Sequence, residues 1–127
     1  MIITFYSYKG GVGRTQLLAN LAAYFCHYTH KKLLIIDWDL EAPGLHYFFD
    51  KNKTQSKGLI EFLMAYNDFM ERNDNITTDD INNFLEETLQ SHIIPAVLTS
   101  TNKNGQVDMM TAGLYDKDYT QKITNFD

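Results

Sequence analysis

The residues with the clearest chemical potential lie in a glycine-rich stretch, residues 8–15, which reads Y-K-G-G-V-G-R-T. Glycines let the backbone bend tightly, and successive N–H groups of such a loop form a concave site for an anion. Arg14 adds a fork of charged donors for phosphate oxygens, and the hydroxyl of Thr15 is a ligand that suits Mg²⁺. This stretch therefore predicts a binding site for a polyphosphate and its metal ion.

A second stretch carries two carboxylates, Asp37 and Asp39, directly after the apolar run of residues 33–36. A run of this kind predicts a buried strand, and in open α/β sheets the carboxyl end of a strand faces the ligand crevice. Side chains two residues apart on an extended chain point the same way. Two such acids beside a metal phosphate can hold metal-bound water and orient an attacking water.

The elements around these residues form a recognisable order. Residues 2–6 are β-branched and aromatic and predict a buried strand, residues 15–30 predict a helix, and residues 32–37 predict a second strand. Strand, tight turn, helix and strand make a βαβ unit, in which the two strands are parallel. The glycine-rich turn then lies between a strand and a helix, as a phosphate loop requires.

The rest of the chain predicts two further helices, an edge hairpin and a short last helix. Thr77 and Asp80 have the spacing of a capping box at the start of the second of these helices. Asn104-Gly105 is a strong hairpin turn signal between two short strands. The predicted helices cover residues 59–70, 77–90 and 116–126, and the predicted hairpin strands cover residues 96–100 and 107–111.

The motif K-G-G-V-G-R-T resembles the deviant Walker A loop of the ParA/MinD ATPases, and the resemblance implies binding of ATP and Mg²⁺. In that group the early lysine, here Lys9, contacts the phosphates of a nucleotide bound by a second subunit, so an ATP-dependent homodimer is implied. The resemblance places these residues at the nucleotide: Lys9, Gly10, Gly11, Val12, Gly13, Arg14, Thr15 and Gln16.

The segment I-I-D-W-D-L-E-A-P-G-L looks like the D-x-D segment of the same family. By that match Asp39 positions the hydrolytic water and, with Lys9, forms the catalytic pair. Asp37 supports the metal shell together with Thr15. The loop that follows, which contains Glu41 and Pro43, senses the γ-phosphate in the family.

The fold class that follows is α/β: a P-loop NTPase with a doubly wound, mostly parallel sheet and an antiparallel edge hairpin. The family's Walker B strand and base-binding loop have no counterpart in this sequence. We therefore expect residues 1–127 to be a single, N-terminal part of a larger ATPase domain, with weak or no ATP hydrolysis by this chain alone.

Three functions stay open. The leading one is a nucleotide-dependent molecular switch with ATPase activity in the longer parent protein. A nucleotide-sensing module without useful hydrolysis is favoured by Arg14, which stands where the motif has lysine, because the two cations are not interchangeable at a tight site. A dinucleotide-binding oxidoreductase fragment fits Gly11, Gly13 and Asp37, but Gln16 occupies its third glycine position.

Composition limits the partners and the compartment. A net charge of −5 argues against broad, non-specific binding of nucleic acid, which needs a basic surface. The lone cysteine, Cys26, suits a reducing compartment, and neither a targeting segment nor an apolar run of about 20 residues is visible. We expect a cytoplasmic protein with an unidentified protein partner and no binding of nucleic acid or membrane by this chain.

Overall fold

The computed structural model describes residues 1–29, 31–49, 56–96 and 105–124. Within these residues the chain is a small α/β protein with one three-stranded sheet. The helices are α1 (Arg14–Thr29), α2 (His46–Phe49), α3 (Leu59–Arg72), α4 (Thr78–His92) and α5 (Tyr119–Thr124), and the strands are β1 (Lys32–Ile36), β2 (Ile94–Pro95) and β3 (Gln106–Met110). None of the helices in the described ranges is long and apolar enough to cross a membrane.

The sheet is mixed, with β3 in the centre. β1 pairs with β3 in parallel, and β2 pairs with β3 in the antiparallel sense. This pairing has the antiparallel sense of the predicted hairpin, but β2 begins at Ile94 and not at Ala96, whose N–H donates to the Val107 carbonyl. Residues 97–100 and Asn104 of the predicted hairpin lie outside the described residues.

The prediction of a buried strand at residues 2–6 is wrong. This segment has no regular secondary structure, and the side chain of Ile2 is 95% exposed. Consequently the parallel partner of β1 is β3, not the N-terminal segment. β-branched residues favour a strand only where neighbouring strands and a covered face receive them, and within the described residues this segment pairs with no strand.

α1 begins one residue earlier than predicted and lies on the sheet through small side chains. Ala19, Ala22 and Cys26 are buried in one cluster with the β3 residues Val107 and Met109. Small residues let the helix approach closely: a Cβ at Gly105 would lie 2.4 Å from the Cys26 carbonyl oxygen. Cys26 is thus a buried packing residue, as its place in an apolar helix pattern predicts.

α3 and α4 form a separate packed pair, in which Phe84 contacts aromatic side chains of α3. The predicted capping box is confirmed: the Thr77 hydroxyl accepts from the Asp80 N–H, and the Asp80 carboxylate accepts from the Thr77 N–H. α3 is fixed to the end of β3 because the N–H of Leu59 donates to the Thr111 carbonyl at 2.8 Å.

Candidate phosphate-binding site

The glycine-rich loop contains two residues in the left-handed region. Gly11 and Gly13 have φ angles of +75° and +79°, whereas Gly10 and Val12 do not have positive φ. Left-handed φ is accessible to glycine at little cost, and it is one of the two conformations that alternate in an anion-binding nest. A Cβ at any of the three loop glycines would meet no atom within 4 Å, so the space above the loop is open.

α1 begins at Arg14, directly after the loop. Its first hydrogen bond runs from the Leu17 N–H to the Gly13 carbonyl at 2.8 Å. The N–H groups of Arg14, Thr15 and Gln16 therefore have no partner within the helix and lie at its positive dipole end. Such a helix start, preceded by a glycine-rich loop, is well suited to binding phosphate.

Arg14 joins the two stretches that the sequence singles out. Its Nη2 atom lies 2.7 Å from the Asp39 Oδ2, and both side chains are about one-third exposed. Its Nη1 lies 3.4 Å from the Ser7 hydroxyl, which in turn donates to the Lys9 carbonyl at 3.1 Å. The loop and the D-x-D segment are therefore in direct contact, as a shared site requires.

Asp37 and Asp39 lie in different environments. Asp37 is buried, and its carboxylate accepts hydrogen bonds from the N–H groups of Asp39 (3.2 Å) and Leu45 (3.1 Å). Burial raises the pKa of Asp37, and the backbone donors oppose that rise. The prediction assumed an extended chain through both acids, but β1 ends at Ile36 and the Asp37 carboxylate bonds the backbone of Asp39.

The side chains and backbone donors at this place are of the types that a polyphosphate with Mg²⁺ uses. Mg²⁺ keeps several waters and takes only one or two protein oxygens beside the phosphates, so a dense ligand cluster is not required. None of the described residues form a group of three or more His, Cys, Asp or Glu that could hold a metal. Thr15 and Asp37 would supply the protein oxygens, because a carboxylate with two acceptor sites used retains others.

The remaining predicted residues lie at the surface of the loop. Lys9 and Gln16 are exposed, and the Val12 side chain is 61% exposed. Within the described chain Lys9 forms no ion pair with a carboxylate, so its ammonium group is accessible to a second molecule. The role across a dimer that the resemblance implies stays a prediction.

A contact that the sequence does not signal ties the D-x-D segment to α5. The Tyr119 hydroxyl donates to the Leu40 carbonyl at 2.8 Å, across 79 positions of the chain. Burial raises the pKa of Tyr119 to about 12, so this hydroxyl stays a donor at neutral pH. Beside it lies a groove of about 310 Å³ whose wall includes Glu41 and the stacked rings of Tyr115 and Tyr119.

His46 is a second buried group that sequence reasoning missed, since its type and spacing gave no ligand pattern. It is 5% exposed, and its Nε2 atom is buried and has no hydrogen-bond partner among the described residues. Burial lowers the pKa of His46, whereas the charge of Asp37 opposes that shift. The ring packs against that of Tyr47.

Searches against family models, curated protein sequences and solved structures found no match to this chain. What the site binds is therefore inferred from its own residues. Those residues supply backbone donors, a helix start, a guanidinium and a hydroxyl at one place, with two carboxylates beside them.

Proposed function

We propose that this chain binds ATP with Mg²⁺ at residues 9–16 and belongs to a ParA/MinD-like, nucleotide-dependent molecular switch. One observation carries the proposal. Gly11 and Gly13, both with positive φ, directly precede α1, and Arg14 at the start of α1 contacts Asp39 of the D-x-D segment. The motif and the left-handed glycines fall on the same few residues, although residues 2–6, which the motif would follow as a strand, have no regular secondary structure. The P-loop NTPase fold is part of the proposal.

Each residue has a role that follows from its chemistry. The loop N–H groups and Arg14 bind phosphate oxygens, and the Thr15 hydroxyl and the Asp37 carboxylate would hold the metal ion. When bound, Mg²⁺ neutralises phosphate charge. Asp39 orients water, and Lys9 acts on a nucleotide held by a second copy, so that ATP drives homodimerisation. We place the switch in the cytoplasm, with a protein partner still to be identified.

A nucleotide sensor without useful hydrolysis is the second candidate. The observation that favours it is the ion pair itself, since the carboxylate that would orient water is engaged by Arg14 at 2.7 Å. A site in which the two stay paired would bind nucleotide and hydrolyse it poorly. Single-turnover hydrolysis in the presence of Mg²⁺ separates the two candidates, because binding alone leaves the ATP intact.

Calorimetry with Mg-ATP tests binding. Thr15→Ala removes the metal-facing hydroxyl and should weaken Mg-ATP binding while changing binding of ATP in EDTA much less. Thr78→Ala is the matched control, because Thr78 is an exposed threonine at the start of α4, outside the site. NAD in place of ATP tests the dinucleotide alternative. Equal affinity of the Thr15 and Thr78 variants for Mg-ATP would contradict the proposed site.

A further inference from the structure

We propose that Asp39 is an internal competitor of phosphate for Arg14, so that phosphate binding releases the tip of the loop between Asp37 and Leu45. The proposal rests on the proposed function, because it concerns the same site. In the unliganded chain the Asp39 carboxylate takes the position on the guanidinium that a phosphate oxygen takes in the complex. Replacement of the Asp39 carboxylate by phosphate then changes the contacts of the loop whenever the site is occupied.

The chemistry of Arg14 makes this competition direct. A guanidinium stays charged at every physiological pH, and its fork matches carboxylate and phosphate equally well. Asp39 approaches one nitrogen of the fork at 2.7 Å, and the other nitrogen is only 3.4 Å from the neutral Ser7 hydroxyl. Asp39 is therefore the one anion paired with Arg14 among the described residues.

The ion pair is suited to exchange because water reaches it. The two side chains are 29% and 36% exposed, and pairs of that exposure are held weakly. A polyphosphate brings more charge and also gains the backbone donors of the loop and of α1, which a single carboxylate does not use. Once phosphate occupies Arg14, the Asp39 carboxylate loses its cation and is released from the guanidinium.

Movement of Asp39 has a defined route into the fold. The Asp39 Oδ1 accepts from the Ala42 N–H at 3.2 Å, and the neighbouring Leu40 carbonyl accepts from the Tyr119 hydroxyl at 2.8 Å. Asp37 and Leu45, by contrast, are buried at the base of the same loop and hydrogen-bonded to each other. The base of the loop is fixed, whereas its tip is held by Arg14 and by Tyr119 of α5. Movement of the tip therefore changes the contact with α5.

Removal of the competitor should strengthen binding. We expect Asp39→Asn to bind pyrophosphate and Mg-ATP about fivefold more tightly than the natural chain, the upper end for a partly exposed pair. Asp68→Asn is the matched control, since it removes an exposed carboxylate paired with Arg72 at 3.2 Å on α3. Asp39→Glu keeps the competing charge and should stay within about twofold of the natural chain.

Trp38 is the single tryptophan and the neighbour of Asp39, so its fluorescence can be measured in the natural chain without any variant. It is 67% exposed, so its fluorescence follows the position of the loop tip. Pyrophosphate should change this fluorescence in the natural chain, and Asp39→Asn should show a smaller change because its loop is already released.

The outcomes separate the two proposals. Binding of Mg-ATP with no gain in Asp39→Asn, or with a loss, would overturn the competition and leave the proposed function intact. Binding of pyrophosphate to the natural chain without a change in Trp38 fluorescence would also overturn the competition. This test does not depend on whether the variant folds. Failure of the natural chain and of Asp39→Asn to bind either ligand would overturn the proposed function and the competition with it.

Discussion

Two carboxylates, Asp39 and Glu61, each accept a charged hydrogen bond from a basic side chain, and their surroundings differ in a way that separates binding from structure. Asp39 shares a partly exposed ion pair with Arg14. Glu61 is 12% exposed, accepts from the N–H groups of Gly58 and Leu114, and pairs with Lys122 at 3.1 Å. A carboxylate held from three sides fixes an architecture, whereas one held mainly by a single exposed cation can exchange it for another anion.

The Glu61 cluster joins elements that are distant in the sequence. It links the start of α3, the turn after β3 and α5, since Lys122 also donates to Asp116 at 2.9 Å. α5 in turn holds Leu40 through Tyr119. The rigid region therefore supports the exchangeable one, and the following predictions test that division in order of expected effect.

The largest effect is expected from Glu61→Ala. The change removes the acceptor of two backbone N–H groups and one of the two carboxylates that pair with Lys122. We therefore expect it to lower the free energy of unfolding by about 3 kcal/mol. Glu71→Ala, on the exposed end of the same helix, should change it by less than about 0.5 kcal/mol. Urea unfolding measures both, and equal midpoints would show that the Glu61 cluster is not structural.

The next effect concerns the backbone of the candidate site. At Gly13, with φ of +79°, alanine must adopt a left-handed conformation, and we expect a loss of about 1–2 kcal/mol in stability. At Gly10 φ is not positive and space is open, so Gly10→Ala should cost less than about 0.5 kcal/mol or stabilise the chain. A similar loss at both positions, measured by thermal unfolding, would mean that the φ pattern does not govern this loop.

A smaller effect on stability is expected from Asp39→Asn. The Arg14 pair is partly exposed, so its loss should cost less than about 1 kcal/mol, although the same change should strengthen phosphate binding. Opposite directions in stability and affinity are the signature of an exchangeable contact. A loss above about 3 kcal/mol, as expected for Glu61, would instead assign Asp39 to the rigid framework.

The two regions should also differ in the sign of their pH dependence. Burial raises the pKa of Asp37 above its ordinary 3.8, so the folded state binds the proton more tightly and stability falls as pH rises through that window. The Lys122 hydrogen bond lowers the pKa of Asp116, so its contribution is present above 3.8 and is lost as pH falls through the folded pKa.

Unfolding of Asp37→Asn and Asp116→Asn between pH 3 and 7 measures these signs. Relative to the natural chain, the Asp37 variant should gain stability as pH rises, and the Asp116 variant should lose it. The pH range is chosen to span the ordinary carboxylate pKa values, about 4. Parallel curves for the two variants would mean that both carboxylates have similar surroundings.

Local sequence signals determined most elements of this chain. α1, β1, β3, α3 and α4 follow from apolar runs and spacing, and the Thr77–Asp80 capping box follows from residues three apart. The positive φ angles of Gly11 and Gly13 agree with the glycine-rich motif, because only glycine adopts them cheaply. Each of these features depends on neighbours within one or two turns of the chain.

Only the tertiary structure decided the features that depend on residues far apart in the sequence. Residues 2–6 have the composition of a strand but no partner in the described sheet, since pairing is a property of the neighbouring strand. The separate surroundings of Asp37 and Asp39 depend on the end of β1 at Ile36 and on the fold of the loop back to Leu45. The contacts of Glu61 with Leu114 and Lys122, 53 and 61 residues away, exist because α3 and α5 meet at the carboxyl end of β3. Sequence spacing does not predict that meeting.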